Sequence, residues 1–278
     1  MPRRLYARVS NTLLRRICVA PCGFLVLVLA SHAIYPQTCT PVVPCGDSHG
    51  RGCPDLTMDP AYLALVSSQI MTFSSTDCAV VEGEVVAGTR NMLLFYTFTP
   101  NLGPGDLVLG MPSDHPDWFD LVTCHGHPHL KDYAAFRLWK PIGYARWQAL
   151  RASNPGVCAD EIFAAHPDLL AQLVSGTKHA FCVEDELTMK FNSSLKCPSK
   201  SNDKFVFDCS FQGISVCFAD LYFPGLSGQW IDITDVRDGE YVLENEVNDK
   251  HFMTETDYSN NSAAVTIEIH GGIPTVLP

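Results

Sequence analysis

Three histidines separated by single residues are the side chains of this chain best suited to bind a transition metal. They are His125, His127 and His129, with Gly126 and Pro128 between them. In an extended strand, alternate side chains project from one face, so the three imidazoles would converge. Glycine and proline disfavour a helix here. Convergent imidazoles suit copper or zinc, so the spacing predicts a metal site. A structural zinc site or a histidine-rich surface loop is the alternative.

The cysteines indicate an oxidising compartment. The chain has 12, of which Cys18 and Cys22 lie in the N-terminal apolar segment. The even number that remains predicts up to five disulfides in a secreted protein. No CxxC pair occurs among them, which disfavours a zinc site built from four cysteines. The spacing leaves the pairing open.

Residues 1–33 have the pattern of a secretory signal. Five arginines flank the start of an apolar run, residues 17–30, which is short for a membrane span. Ser31 and Ala33 supply small residues at the two positions that signal cleavage requires. We therefore expect a cleaved signal, a secreted chain and no membrane association afterwards. An uncleaved membrane anchor is the alternative.

Net charge limits the class of partner. The chain carries a formal charge of −11, and the predicted signal holds five of its 19 basic residues and none of its 30 acidic ones. The excess of acidic groups disfavours nucleic acid as a partner and would attract cationic substrates. Acidity that serves only solubility is the alternative.

Alternating apolar residues predict the elements that position these side chains. Residues 80–86, 91–99, 229–234 and 264–269 favour strands, and Asp238-Gly239 predicts a hairpin turn. The strand that returns from this turn is predicted at residues 241–243.

A helical insertion is predicted at residues 141–176, where residues 159–165 and 168–174 have helical periodicity around Pro167. The fold class expected is mainly β, with a β-sandwich core, disulfide-tied loops and this short helical insertion.

Five segments, in order along the chain, resemble the catalytic domain of lysyl oxidases. The order of the five segments carries the resemblance, since any one of them could occur by chance. The segments are PDL at 54–56 with Asp59, Pro60 and Tyr62, HGHPH at 125–129 after Cys124, KHAFCVED at 178–185, QWIDITDV at 229–236 followed by GEYVL at 239–243, and ETDYSNN at 255–261. Together they extend over roughly residues 53–270.

The resemblance implies a copper-dependent amine oxidase. Lysyl oxidases convert peptidyl lysine to an aldehyde with O2, releasing ammonia and hydrogen peroxide. The three histidines match the copper ligands. Lys178 and Tyr222 match the residues that form the lysyl tyrosylquinone cofactor, and Asp220 matches the proposed catalytic base. The implied partner is an extracellular matrix or cell-wall protein with exposed lysines.

A calcium site is also implied by the resemblance, because some members bind this ion through two matching segments. Oxygen donors of this kind suit calcium, and an Asx-rich turn is the alternative. The matching residues are Asp55, Leu56 through its carbonyl, Glu255, Asp257, Asn260 and Asn261. Glycosylation sequons begin at Asn192 and at Asn260, and glycosylation of the second would conflict with calcium binding.

The chain departs from the family pattern in several ways. Phe136 replaces a histidine sometimes suggested as a base, which places more weight on Asp220. Cys124 and Cys209 match positions that pair in the family, and Cys182 is expected to pair locally, for example with Cys197. Cys217 then pairs elsewhere or stays reduced.

The expected domains are a signal at residues 1–33, a Cys/Pro/Gly-rich lead-in at 34–52 and the catalytic domain at 53–278, which contains the insertion. The alternative functions are an inactive copper- or calcium-binding scaffold of the same fold and an oxidase of small free amines.

Overall fold

Antiparallel β-strands form most of the regular structure. The computed structural model describes residues 39–45, 52–121, 124–179, 182–189, 197 and 205–278, except for the side chains of 175–179. The predicted signal at residues 1–33 and the sequon at Asn192 lie outside these residues. No helix in the described part has the length and apolar character needed to cross a membrane.

Fifteen strands occur within the described residues, and every strand pairs in the antiparallel sense. The prediction of a mainly β fold is confirmed. The strands are β1 (Ser67–Phe73), β2 (Gly88–Leu94), β3 (Thr97–Pro100), β4 (Leu107–Gly110), β5 (Phe119–Asp120), β6 (His129–Leu130), β7 (Ala134–Trp139), β8 (Leu173–His179), β9 (Leu187–Thr188), β10 (Gln212–Ile214), β11 (Phe218–Tyr222), β12 (Trp230–Asp232), β13 (Gly239–Val247), β14 (Ser262–His270) and β15 (Ile273–Val276).

The largest sheet has the strand order β15-β14-β13-β7-β8. Leu138 of β7 lies opposite Leu243 of β13, and both are buried in the main core. Phe136 packs edge-on against Phe95, with ring centroids 4.9 Å apart. Smaller sheets complete the fold, with the orders β1-β2-β12, β3-β11-β9, β4-β10 and β5-β6.

Helices are short and concentrated in the predicted insertion. They are α1 (Pro60–Leu63), α2 (Cys78–Val81), α3 (Pro141–Ser153) and α4 (Ala159–Ala165), with 3-10 helices at Pro112–Asp114 and Pro167–Gln172. The helix predicted at residues 159–165 therefore forms. The one predicted at 168–174 is instead a 3-10 helix that leads directly into β8.

The insertion is fixed to the five-stranded sheet by aromatic packing around one buried carboxylate. Trp147 of α3 stacks between Trp139 and Phe163, with centroids 5.6 and 4.9 Å away. The Glu244 carboxylate accepts hydrogen bonds from the indoles of Trp139 at 2.8 Å and Trp147 at 2.9 Å. Burial of this carboxylate is tolerated because these donors and Arg137 surround it.

Two further sequence predictions, of a strand and of a hairpin turn, are wrong. Residues 80–86 are not a strand, because the chain forms α2 and then reverses at Gly83, whose φ is +79°. Asp238-Gly239 is not a hairpin turn, because β12 pairs with β2 whereas β13 pairs with β14 and β7. The Asp232 carboxylate accepts from the Thr234 amide at 2.9 Å, and this local turn ends β12 well before Gly239.

Five disulfides join the ten cysteines, as their number predicts. They are Cys39–Cys158, Cys45–Cys53, Cys78–Cys124, Cys182–Cys209 and Cys197–Cys217. The expected pairings of Cys124 with Cys209 and of Cys182 with Cys197 are wrong. Each pairing depends on which segments the fold brings together, and the fold places Cys78 at the start of α2 beside Cys124.

Candidate active site

The three histidines converge through a turn, and the extended strand predicted for them is wrong. Gly126 has a φ of +76°, and only His129 belongs to a strand, β6. The ring centroids lie 6.0 Å apart for His125 and His127, 5.6 Å for His125 and His129, and 4.9 Å for His127 and His129. A glycine permits this backbone conformation without strain, so the turn achieves the convergence that was expected from strand alternation.

Glu82 is a member of this cluster that the sequence does not reveal. It follows α2 directly, and its carboxylate accepts from the backbone amide of Cys124 at 2.5 Å and lies 2.7 Å from Nδ1 of His125. The Cys78–Cys124 disulfide ties the two segments together. Possible ligand atoms of Glu82, His125 and His129 all lie within 4.8 Å of one another. A carboxylate beside a metal-binding histidine orients its ring and raises its basicity.

Electrostatics at the cluster favour neutral imidazoles beside an ionised carboxylate. Burial lowers the pKa of His127 and His129, and the neighbouring imidazoles contribute in the same direction. Partial burial opposes ionisation of Glu82, yet the Cys124 amide and His125 bring its pKa below the ordinary value. Neutral imidazole is the form that coordinates metals. This donor set therefore fits a borderline transition metal such as copper or zinc.

A second group of side chains surrounds Asp220, which lies on β11 two residues before Tyr222. The Asp220 side chain is 0% exposed, and its Oδ2 accepts a hydrogen bond from the Tyr133 hydroxyl at 2.7 Å. The ring of Tyr133 meets that of Tyr222 edge-on, with centroids 6.3 Å apart. The Tyr222 hydroxyl donates to the backbone carbonyl of Cys182. Tyr222 and Asp220 are thus buried in one contact group.

Burial makes this carboxyl unusually hard to ionise. It raises the pKa of Asp220 well above the ordinary value, against the hydrogen bond from Tyr133, and the neighbouring carboxylate of Glu186 acts in the same direction as burial. Burial likewise raises the pKa of Tyr222, with a further contribution from Asp220. A carboxyl with a raised pKa and a defined partner is suited to general acid–base work.

Cys182 connects the two groups. Its carbonyl accepts from Tyr222, and its Sγ lies 3.9 Å from the carbonyl oxygen of Pro128, inside the histidine turn. Lys178 lies four residues before Cys182 on β8, where its backbone is opposite Ala135 of β7. Four residues span at most about 14 Å. The structure thus brings the turn close to Tyr222 through Cys182, whereas the Lys178 side chain lies outside the described part.

The residues expected to bind calcium form a third group, where the segment before β14 meets residues 55 and 56. Glu255 accepts from the Leu56 amide and from the side chains of Asn248 and Asn261. The Asp55 carboxylate accepts from Asn260 at 3.0 Å. Burial raises the pKa of Glu255 to about 8 against the lowering effect of these hydrogen bonds.

Asp257 stands at the margin of this third group. Its Oδ1 accepts from the backbone amide of Ser259 at 2.8 Å, a bond within its own turn. The side-chain oxygens of Asn260 and Asn261 are buried and accept no hydrogen bond from any described residue. Buried oxygens of this kind are uncommon and fit the ligands of a hard cation.

Comparisons with known proteins agree with the resemblance. A family model described as "Lysyl oxidase" matches residues 161–277. The chain is 27% identical to "Protein-lysine 6-oxidase" of Rattus norvegicus, covering 79% of this chain and 47% of that protein, and to the one of Sus scrofa, covering 79% and 78%. It is 27% identical to "Lysyl oxidase homolog 1" of Homo sapiens, covering 81% and 35%. The chain spans less than half the length of the rat and human relatives. Its ordered motifs and these matches make the chain similar to the lysyl oxidase family, with the family model matching its C-terminal part at residues 161–277.

Proposed function

We propose that this chain is a secreted, copper-dependent amine oxidase that converts peptidyl lysine to an aldehyde. The observation that carries the proposal is the meeting of two groups at Cys182. Its carbonyl accepts from Tyr222, and its sulfur contacts the turn that holds the histidines. Five disulfides are typical of proteins that fold in an oxidising compartment, which supports secretion.

The copper ion would be held by His125, His127 and His129, with Glu82 orienting His125. The lysyl tyrosylquinone would be built from Lys178 and Tyr222. When bound, these two groups supply the electron acceptor that ordinary side chains lack. The overall reaction consumes one amine, O2 and water, and yields one aldehyde, ammonia and hydrogen peroxide.

Asp220 would act as the general base. Its carboxyl would take the proton from the carbon beside the substrate nitrogen, because it is buried next to Tyr222 and its pKa is raised. Tyr133 donates to one oxygen of this carboxyl. Removal of water from this pair strengthens the electrostatic interactions within it.

Calcium would bind at the third group and hold the C-terminal segment to the start of the catalytic domain, residues 53–278. Asp55, the Leu56 carbonyl, Glu255 and the amide oxygens of Asn260 and Asn261 would be the principal ligands. The buried amide oxygens of Asn260 and Asn261, which accept no hydrogen bond from the described residues, support this assignment. Asp257 would contribute only if it left the Ser259 amide.

The substrate would be an extracellular matrix or cell-wall protein with exposed lysines. The net charge of −11 favours approach of a cationic partner. The helical insertion at residues 141–176 would be an addition to one face of the catalytic domain rather than a separate unit, because α3 packs directly on Glu244.

An oxidase assay with matched variants tests the proposal. Protein secreted with copper present should release hydrogen peroxide from a lysine-containing polypeptide, and Lys178→Arg and Tyr222→Phe should abolish it. Lys140→Arg is the control, since Lys140 is an exposed lysine outside the site. A folded, copper-loaded wild type that releases no peroxide would support the binding scaffold instead. Turnover of n-butylamine without turnover of the polypeptide would favour an oxidase of free amines.

A further inference from the structure

Tyr133 is a buried tyrosine whose hydroxyl is hydrogen-bonded to the carboxyl of Asp220. The O–H donates to Oδ2 at 2.7 Å, and the two side chains are 1% and 0% exposed. Burial of a hydroxyl and a carboxyl is unfavourable unless each has a hydrogen-bond partner. Tyr133 lies between β6 and β7, so the segment that carries His129 also carries the group that orients Asp220.

The two oxygens of Asp220 are held unequally. Oδ2 accepts the short bond from Tyr133, Oδ1 accepts a longer bond of 3.4 Å from the Glu184 amide, and the Tyr222 side chain also hydrogen-bonds to this carboxyl. Tyr222 lies on the same strand, and its ring meets that of Tyr133 at 80°. The short bond from Tyr133 therefore fixes one orientation of the carboxyl, in which Oδ2 is turned toward Tyr133 and Oδ1 away from it.

We propose that Tyr133 is a positioning residue for amine oxidation, which fixes Oδ2 of Asp220 so that Oδ1 faces the substrate carbon. This inference rests on the proposed function, because it assigns Tyr133 a role in that reaction. Oδ1 takes the proton when the C–H bond beside nitrogen breaks, and the bonding electron pair remains with the substrate and its oxidant. Tyr133 keeps its own proton throughout.

The charged and titratable groups that face Asp220 set the direction of the pH effect. They are Tyr133, Tyr222 on its own strand and Glu186 beside β9. Tyr133 itself faces Asp220 and, more remotely, Glu255. Burial and Glu186 raise the pKa of Asp220, and the Tyr133 hydroxyl lowers it. Loss of the hydroxyl should therefore raise this pKa further, by about one to two pH units for a hydrogen bond to a charged group.

The test compares Tyr133→Phe with Tyr241→Phe in the full secreted chain. Tyr241 also donates one hydrogen bond from a largely buried ring, to the Arg237 carbonyl at 2.8 Å, but lies outside the site. Tyr133→Phe should retain its quinone, measured with phenylhydrazine, and shift the acidic limb of the kcat/KM profile upward by about one to two pH units. Tyr241→Phe should leave the profile unchanged.

Two further measurements separate this inference from the proposed function. Infrared spectroscopy, with Asp220→Asn to identify the band, should show the Asp220 carboxyl titrating at higher pH in Tyr133→Phe, with or without quinone. An unshifted carboxyl overturns the positioning role, whereas a shifted carboxyl in a protein without quinone supports the contact and refutes the oxidase. In an Asp220→Asn background, Tyr133→Phe should cause no further loss of kcat, and a further loss overturns the inference.

Discussion

Glu255 should make the stability of this protein fall as pH rises through neutrality. The side chain is 7% exposed, and burial raises its pKa from the ordinary 4.5 to about 8. The folded state therefore binds a proton that the unfolded state has already released across this range. Stability that depends on such a proton is complete below pH 4.5 and is lost as pH rises through about 8.

The size of the effect follows from the two pKa values. Their difference, multiplied by about 1.4 kcal/mol per pH unit, gives about 5 kcal/mol. The Glu255→Gln variant has no titrating group at this position. As pH rises, the unfolding free energy of wild type minus that of the variant should therefore fall by up to this amount. Calcium should reverse the fall in wild type, because a cation that binds only the folded ionised form stabilises it.

The assay is guanidinium unfolding followed by tryptophan fluorescence at several pH values, with and without millimolar calcium. Glu268→Gln, which changes an exposed glutamate of β14, is the matched control and should follow the wild-type curve. Parallel pH curves for wild type and Glu255→Gln would refute the reasoning. A calcium response that survives in Glu255→Gln would refute the assignment of this residue as a calcium ligand.

Three further substitutions test the contacts that support the site. Glu82→Gln should weaken copper binding about 10- to 100-fold, measured by competition with a chelator, because it alters the partner of a metal-binding histidine; unchanged affinity would remove Glu82 from the metal centre. Arg137→Ala should lower the unfolding free energy by about 3–5 kcal/mol, since it removes the buried guanidinium that pairs with Glu244, Glu246 and Asp249, and a loss below about 1 kcal/mol in guanidinium unfolding would contradict this. Trp147→Ala should cost about 3–5 kcal/mol in the same assay through the cavity it creates, and a smaller cost would mean that the insertion packs loosely.

Strands with clear alternation were predictable from sequence, and their pairing was not. Residues 264–269 lie within β14, and residues 91–99 contribute to β2 and β3, because a period of two is a local property. The valines of residues 80–86 favour a strand locally, since nothing local records that Cys78 bonds to Cys124. The Asp238-Gly239 pair was mistaken for a hairpin turn because β13 finds its partners in β7 and β14.

The chemistry at the candidate site was partly predictable, because some of its residues belong to local sequence patterns and others meet only through long-range contacts. The histidine spacing carried its own signal, and the family resemblance supplied Lys178, Tyr222 and Asp220. The sequence contains no signal for the roles of Glu82 and Tyr133, because each residue contacts its partner only in the folded structure. Glu82 meets His125 across a disulfide, and Tyr133 meets Asp220 across 87 residues of sequence.

The most direct test of the central claim is to map the cofactor in the secreted protein. Protein made in a copper-supplemented eukaryotic host would be labelled with phenylhydrazine, digested and examined by mass spectrometry. The account predicts a labelled, cross-linked peptide that joins Lys178 to Tyr222. An unmodified Tyr222 in folded, copper-loaded protein would contradict it.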